Sequence, residues 1–134
     1  VVELNPVRAL VCFAVPQEAR PFVRLWNHGQ PSGGRLRSAE CGVRKGRRYV
    51  APGLEVWVSG MGQPNARRTV EQALSLTRPE LVLTCGLAGG LNPELRAGAL
   101  VADADAGFPW AEALPDLGFR PVTFHCAERV AATA

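Results

Sequence analysis

In Leu81-Val-Leu-Thr-Cys-Gly-Leu-Ala-Gly-Gly-Leu-Asn92 a short apolar run gives way to three glycines within five residues. A run this short, preceded by Arg78-Pro79-Glu80 and closed by glycines, predicts a buried strand rather than a helix. In an α/β protein such a strand delivers its carboxyl end to the rim of the sheet, where ligands bind. Gly86, Gly89 and Gly90 carry no side chains, so a small molecule can approach the backbone there and meet its N–H groups. A plain glycine-rich turn satisfies the same pattern, because no Lys-Ser/Thr follows the glycines as it does in a phosphate-binding loop.

Working back from this stretch, Gly60-Met-Gly-Gln-Pro-Asn-Ala66 is a second glycine-bearing strand end. It feeds a helix expected from about Pro64 to Thr77. Ala66, Val70, Ala73, Leu74 and Thr77 form its expected inward stripe, with Arg67, Arg68, Glu71 and Gln72 outside. A loop that opens a helix presents free N–H groups and a positive dipole end, suited to an anionic or hydroxyl-rich ligand; a tight turn without a ligand fits equally. Tyr49-Val50 and Leu54-Glu-Val-Trp-Val58 read as two strands around the turn Ala51-Pro-Gly53, with Glu55 and Trp57 on a less buried face. Arg8-Ala-Leu-Val-Cys-Phe-Ala-Val15 is apolar on both alternating faces, as a strand covered by helices on both sides would be. Pro16 ends it and opens a helix to Trp26, in which Ala19, Phe22, Val23 and Trp26 make one stripe. Asn27 to Arg37 is loop by composition, and His28 within it reads as a surface histidine.

Beyond the glycines, Gly98 turns the chain into a strand at Ala99 to Ala102, and Pro121-Val-Thr-Phe124 reads as a last short strand. Between them Phe108-Pro-Trp110 forms an aromatic loop, open to reading as a lid, a subunit contact or packed surface. The order of elements predicts an α/β layered domain, helices lying on a central mixed β-sheet.

The totals narrow the function classes. A chain of 134 residues, 47% hydrophobic, is at most one globular domain. The net charge of +3 is local: Arg44-Lys-Gly-Arg-Arg48 holds four of the fifteen basic residues. Without interleaved aromatics this cluster reads as a solvated turn, and nucleic acid is not an expected partner. Cys12, Cys41, Cys85 and Cys126 show no C-x-x-C pair; Cys12 and Cys85 read as small core residues, and no metal site or cofactor is expected. No apolar stretch is long enough for a membrane span, and the expected setting is cytoplasmic, without a membrane partner. Val1-Val2 at one end and Arg129-Val-Ala-Ala-Thr-Ala134, which reads as a helix beginning, at the other suggest that both ends are cuts. The expectation is therefore that 1–134 is the amino-terminal part of a single, incomplete domain.

Taken together these residues resemble the purine nucleoside phosphorylase superfamily, and within it the methylthioadenosine/S-adenosylhomocysteine nucleosidases. Ala14-Val-Pro-Gln-Glu-Ala19 resembles the Ala-Met-x-x-Glu segment after the family's first strand. Ser59-Gly-Met-Gly-Gln-Pro-Asn-Ala66 is similar to its Ser-Gly-Ile-Gly-x-x-x-Ala loop. Pro79-Glu-Leu-Val-Leu-Thr-Cys-Gly-Leu-Ala-Gly-Gly90 resembles its Pro-Asp-x-Val-Ile-Asn-Thr-Gly-x-Ala-Gly-Gly strand. Leu91-Asn-Pro-Glu-Leu-Arg-Ala-Gly-Ala-Leu-Val101 resembles the segment that follows.

The resemblance implies a nucleoside phosphorylase-like fold and cleavage of the N-glycosidic bond of a purine nucleoside. Glu18 falls at the position of the glutamate that activates water in the nucleosidases. A carboxylate at a strand-to-helix corner can serve as a general base, although a lone glutamate in a first helical turn is more often a solvated dipole partner. Val15, Met61, Leu87, Ala88 and Gly89 match positions that bind the substrate.

Departures from the pattern bear on the chemistry. Nucleosidases commonly carry Ser where this chain has Leu87. The phosphorylases' Gly-Asp-Pro-Gly-Arg type phosphate loop is replaced by Ala14-Val-Pro-Gln-Glu, which favours water over phosphate. Gln17-Glu-Ala-Arg20 with Gly86-Leu-Ala-Gly-Gly90 is also similar to phosphorylase-like proteins linked to hopanoid lipid synthesis. The family's Met-Glu and Ser-Asp motifs, which hold the ribose and protonate the purine, lie in a later segment than the one given. The implied partner is a small purine nucleoside, in a homo-oligomer (a dimer) when full length. The alternatives are a phosphorolytic enzyme and a non-catalytic nucleoside-binding remnant.

Overall fold

The structure is a computed structural model that describes residues 5–127. The helix start expected at Arg129–Ala134 lies outside the described residues. The chain divides into two compact units, the first ending at Leu87 and the second beginning at Ala88.

The first unit is built around β1 (Asn5–Phe13). β1 pairs in parallel with β4 (Leu54–Val58) on one edge and with β5 (Thr77–Thr84) on the other. Beyond β4 the sheet turns antiparallel through β3 (Arg47–Ala51) and β2 (Arg37–Ala39), giving the order β2-β3-β4-β1-β5. Parallel neighbours cannot be joined by a tight turn, so the connections out of β1 and out of β4 travel over the faces of the sheet as helices, whereas β3 enters β4 through the hairpin turn at Pro52-Gly53. α1 (Pro16–His28) lies on one face, where Phe22, Val23 and Trp26 pack against Val11, Phe13, Val56 and Val58. α2 (Gln63–Leu76) takes the other, with Val70 and Ala73 against Leu10, Cys12 and Trp57. The mixed, helix-covered sheet expected from the sequence is what forms.

Local sequence explains the helices. Pro16 begins α1, where its missing N–H costs nothing. Pro21 remains inside the helix, although it offers no donor to the carbonyl four residues back. The stripe Ala19, Phe22, Val23, Trp26 faces the sheet as anticipated. α2 starts after Gly62, whose φ of 92° suits glycine. It passes straight into β5 at Thr77, whose buried hydroxyl donates to the Ala73 carbonyl at 2.9 Å. The inward stripe of α2 departs from expectation: Thr69 is buried, whereas Ala66 and Leu74 are exposed.

Three further expectations are corrected. The stretch Asn27 to Arg37 is not a free loop. The side chain of Asn27 accepts from the Leu36 amide (2.7 Å) and donates to its carbonyl (3.2 Å), and Trp26 Nε1 donates to the Gly34 carbonyl. Leu36 is thereby held in the core and β2 is delivered to β3. His28, in the last turn of α1, is exposed. Second, β5 is an edge strand with one half-covered face; Val82 on the other is exposed, so this is not a fully buried strand.

Third, β4 is buried on both faces, including Glu55 and Trp57. Glu55 accepts two hydrogen bonds from the Arg48 guanidinium, at 2.6 and 3.1 Å, and one from Trp57 Nε1 at 2.8 Å. The Arg48 guanidinium also sits 5.3 Å from the centre of the Trp57 ring. The last residue of the basic cluster is thus a structural partner, not part of a solvated turn.

The second unit, taken by itself, pairs β6 (Val101–Ala102) with β7 (Arg120–Pro121) in parallel. Both strands are shorter than, or displaced from, the runs expected at Ala99–Ala102 and Pro121–Phe124. Short 3-10 turns at Ala111–Ala113 and Pro115–Leu117 lie between them, closed by Gly118 at φ 89°. Phe108 and Trp110 pack edge to face at 5.9 Å. Among the described residues, no helix is long and apolar enough to cross a membrane.

Removing one partner of a buried ion pair strands the other charge and costs about 3–5 kcal/mol. Arg48→Met is therefore expected to lower unfolding free energy by that order. Glu55→Leu should cost less, because the cation it strands, Arg48, keeps 15% of its side chain exposed and can reach water, whereas Glu55 keeps 2%. Urea denaturation of both variants checks the ranking, and equal or negligible losses would show that the pair is solvated.

Candidate active site

The carboxyl ends of β4, β1 and β5 lie side by side, with Phe13 opposite Val58 and Cys12 opposite Thr84. The ladders run one residue further on each side: the Ser59 amide donates to the Phe13 carbonyl and the Cys85 amide to the Cys12 carbonyl, both at 2.9 Å. Three loops therefore leave the sheet together, at Ala14–Val15, Ser59–Gly62 and Cys85–Leu87. α1 and α2 cover opposite faces, so the carboxyl end of β1 is a topological switch point, where open α/β sheets bind ligands.

Glu18 stands in the first turn of α1 at this rim. Its amide donates to the Val15 carbonyl at 3.1 Å, which fixes the turn. Its side chain crosses to the end of β5, where Oε1 accepts from the Leu87 amide at 3.0 Å. Oε2 is buried, and no hydrogen-bond partner for it exists among the described residues. Glu18 is therefore not a solvated dipole partner: one oxygen is held by the backbone and the other is withdrawn from water and uncommitted. A buried carboxylate oxygen without a partner among the described residues leaves room for one further donor, such as a water or a ligand.

The other expected residues are placed unevenly. Val15 is the residue before α1, half-buried, its carbonyl engaged by the amides of Glu18 and Ala19. Leu87 meets Glu18 through its amide, while its side chain is 92% exposed. Met61 shares the rim through β4; its side chain is exposed and its carbonyl accepts from Asn65 Nδ2 at 2.7 Å. Ala88 and Gly89 open the second unit and are exposed.

The glycine pattern alone reserves the space over Gly86 for a ligand. The carboxylate of Glu18 occupies it instead, so close that a Cβ on Gly86 would fall 2.8 Å from Oε2. The glycines do mark a close approach, but the approaching group lies 68 positions earlier in the chain. It becomes visible only once β1 and β5 are paired.

Two thiols, Cys12 and Cys85, lie on adjoining residues at the ends of β1 and β5. Cys12 is buried as expected, and burial pushes its thiol up to about 11, with nearby Cys85 adding to the rise. Cys85 is exposed as a residue, against expectation, yet desolvation raises its thiol as well. A hollow of about 360 Å³ on β2 and β3, lined by Arg47, Arg48 and Tyr49 among others, contains none of the expected site residues. Among the described residues no group of three or more His, Cys, Asp or Glu side chains is placed to hold a metal ion.

A parallel-centred sheet covered by helices, with an acidic side chain at its strand ends, defines an α/β architecture of the kind that binds small ligands at a topological switch point. The chain belongs to the phosphorylase superfamily, whose family model matches residues 8–124. No match was found among curated proteins, and none among solved structures. The architecture is accordingly nucleoside phosphorylase-like, and membership supports enzymatic cleavage of nucleosides as the general activity.

The raised Cys12 thiol leaves about one part in a thousand as thiolate at pH 8. Cys126, which is exposed, should take up iodoacetamide readily in the native protein, and Cys12 only after unfolding or as the pH climbs toward 11. Mass-mapped alkylation between pH 7 and 11 checks this. Equal labelling of Cys12 and Cys126 at pH 8 would contradict the burial of β1.

Proposed function

We propose that the protein hydrolyses the N-glycosidic bond of a purine nucleoside such as methylthioadenosine or S-adenosylhomocysteine, with Glu18 activating the attacking water. The supporting observation is the uneven state of the Glu18 carboxylate, with Oε1 on the Leu87 amide and Oε2 buried without a partner. In this reading Oε2 takes a proton as a water oxygen bonds to the anomeric carbon. The bond from that carbon to the purine nitrogen breaks, and the base leaves with the electron pair and acquires a proton. General-base assistance of this kind is worth roughly 10²–10⁴ in rate. Val15, Met61, Leu87, Ala88 and Gly89 are the proposed substrate-binding residues, and no cofactor takes part. The proposal extends to a cytoplasmic homodimer.

Water is preferred to phosphate as nucleophile because the chain has Ala14-Val-Pro-Gln-Glu18 at the corner where the phosphorylases carry a phosphate loop. The test is to incubate the protein, as its gene encodes it, with methylthioadenosine and to follow adenine release with and without phosphate. Release in phosphate-free buffer is expected, and Glu18→Gln should lower kcat by about 10²–10⁴ with KM changed little. Strict dependence on phosphate would make the enzyme phosphorolytic. Tight adenine binding without any base release would make it a nucleoside-binding remnant.

A further inference from the structure

We infer that Gly86 is a positioning residue for Glu18: having no side chain, it lets the carboxylate settle onto the end of β5 and so determines which oxygen acts. This rests on the hydrolytic role proposed for Glu18. A Cβ on Gly86 would stand 2.8 Å from Oε2, 2.9 Å from Oε1 and 3.0 Å from Cδ of Glu18. All three separations are far inside the ~3.5 Å at which non-bonded heavy atoms attract. Even the smallest added side chain therefore evicts the carboxylate. The evicted group is the free end of a flexible side chain, so the clash is relieved by swinging it away. The φ of 157° at Gly86 adds a backbone strain of its own to any substitution, which the double variant separates from the loss of the contact.

What eviction removes is the placement. In the seated position the Leu87 amide donates to Oε1 at 3.0 Å, and that bond assigns the two oxygens different tasks. Oε1 becomes the anchor. Oε2, buried and without a partner among the described residues, is the oxygen left to take a proton. A backbone amide is a fixed donor: it cannot rotate off its target as a hydroxyl can, and it holds whatever side chain residue 87 carries. Leu87 is thereby freed from the task, and its side chain is 92% exposed. The seat thus consists of a missing Cβ at residue 86 and a present N–H at residue 87.

The experiment compares wild type, Gly86→Ala, Glu18→Ala and the double variant, by two independent readouts. The first is the amide proton resonance of Leu87, which reports the bond to Glu18 without reference to activity. Glu18→Ala should move it upfield; Gly86→Ala, which also perturbs the adjoining amide through the backbone, should make it insensitive to Glu18, so that the double variant matches Gly86→Ala. The second is steady-state base release from methylthioadenosine. Gly86→Ala should lower kcat by roughly 10- to 100-fold, as a displacement of about 1 Å does for a reacting group, with KM within about twofold. In the Glu18→Ala background it should cost nothing more. Should Gly86→Ala fail to fold, Glu18→Asp supplies the second variant: its carboxylate is one methylene short of the Leu87 amide and should show the same resonance shift and loss of kcat.

A Leu87 resonance that still responds to Glu18→Ala in the Gly86→Ala background, or that is unmoved in Glu18→Asp, would overturn the seating itself. A moved resonance with unchanged kcat would overturn the positioning role, provided Glu18→Gln is inactive. If Glu18→Gln remains fully active, the hydrolytic reading underneath has failed, and the resonance alone then decides whether the seat exists.

Discussion

β1 has a parallel neighbour on each edge and a helix on each face, and that double enclosure governs the rest of the first unit. A strand paired on both sides satisfies its backbone groups without loops or water. Its side chains alternate between two cores, so Leu10 and Cys12 go to α2 while Val11 and Phe13 go to α1. Full burial of such side chains contributes about 1.5–3 kcal/mol each. Because parallel pairing forces the helices onto the faces, within the first unit the loops after β1, β4 and β5 leave the sheet side by side at the end of β1, and Glu18 spans from one of them to another.

The antiparallel side of the sheet is stabilised differently. Burying Glu55 inside β4 demands partners, and it has three donors: two from Arg48 on β3 and one from Trp57 two residues along its own strand. Arg48 pairs across from Trp57, so a slip of one residue between β3 and β4 would turn the guanidinium to the opposite face and leave Glu55 alone. The ion pair holds β3 in register more than it adds net stability. With β3 in place, β2 is added through the Asn27 link to Leu36.

Elements announced by local periodicity are legible in the amino-acid sequence. Pro16 and the stripe Ala19, Phe22, Val23, Trp26 mark α1, the two-faced apolar run marks β1, and Pro52-Gly53 marks the β3–β4 turn. Features that depend on long-range partners are not. Arg37–Ala39 has no strand pattern of its own and becomes one by lying beside Arg48–Val50. Thr69 is buried in α2 while Ala66 is exposed, so the inward face of the helix is set by what it packs against and not by the apolar content of its own sequence. Val82 is apolar and exposed because β5 is last in the sheet. In the candidate site, Glu18 and the glycines are each visible along the chain. The contact between them is not, since it joins residues on neighbouring elements whose adjacency only topology supplies.

That contact also accounts for the sharpest departure from the family pattern. The nucleosidases of the superfamily commonly carry serine at the position of Leu87. If a hydroxyl there were needed to hold the carboxylate, leucine would leave Glu18 unsupported. Here the support comes from the amide of the same residue, at 3.0 Å, and an amide is indifferent to the side chain it accompanies. What position 87 must preserve is its backbone direction, and the missing Cβ at Gly86 lets the carboxylate come close enough to use it. On this geometry a side-chain change at residue 87 leaves the anchor of Glu18 in place, whereas a side chain at residue 86 meets both the carboxylate and a backbone φ of 157° that favours glycine.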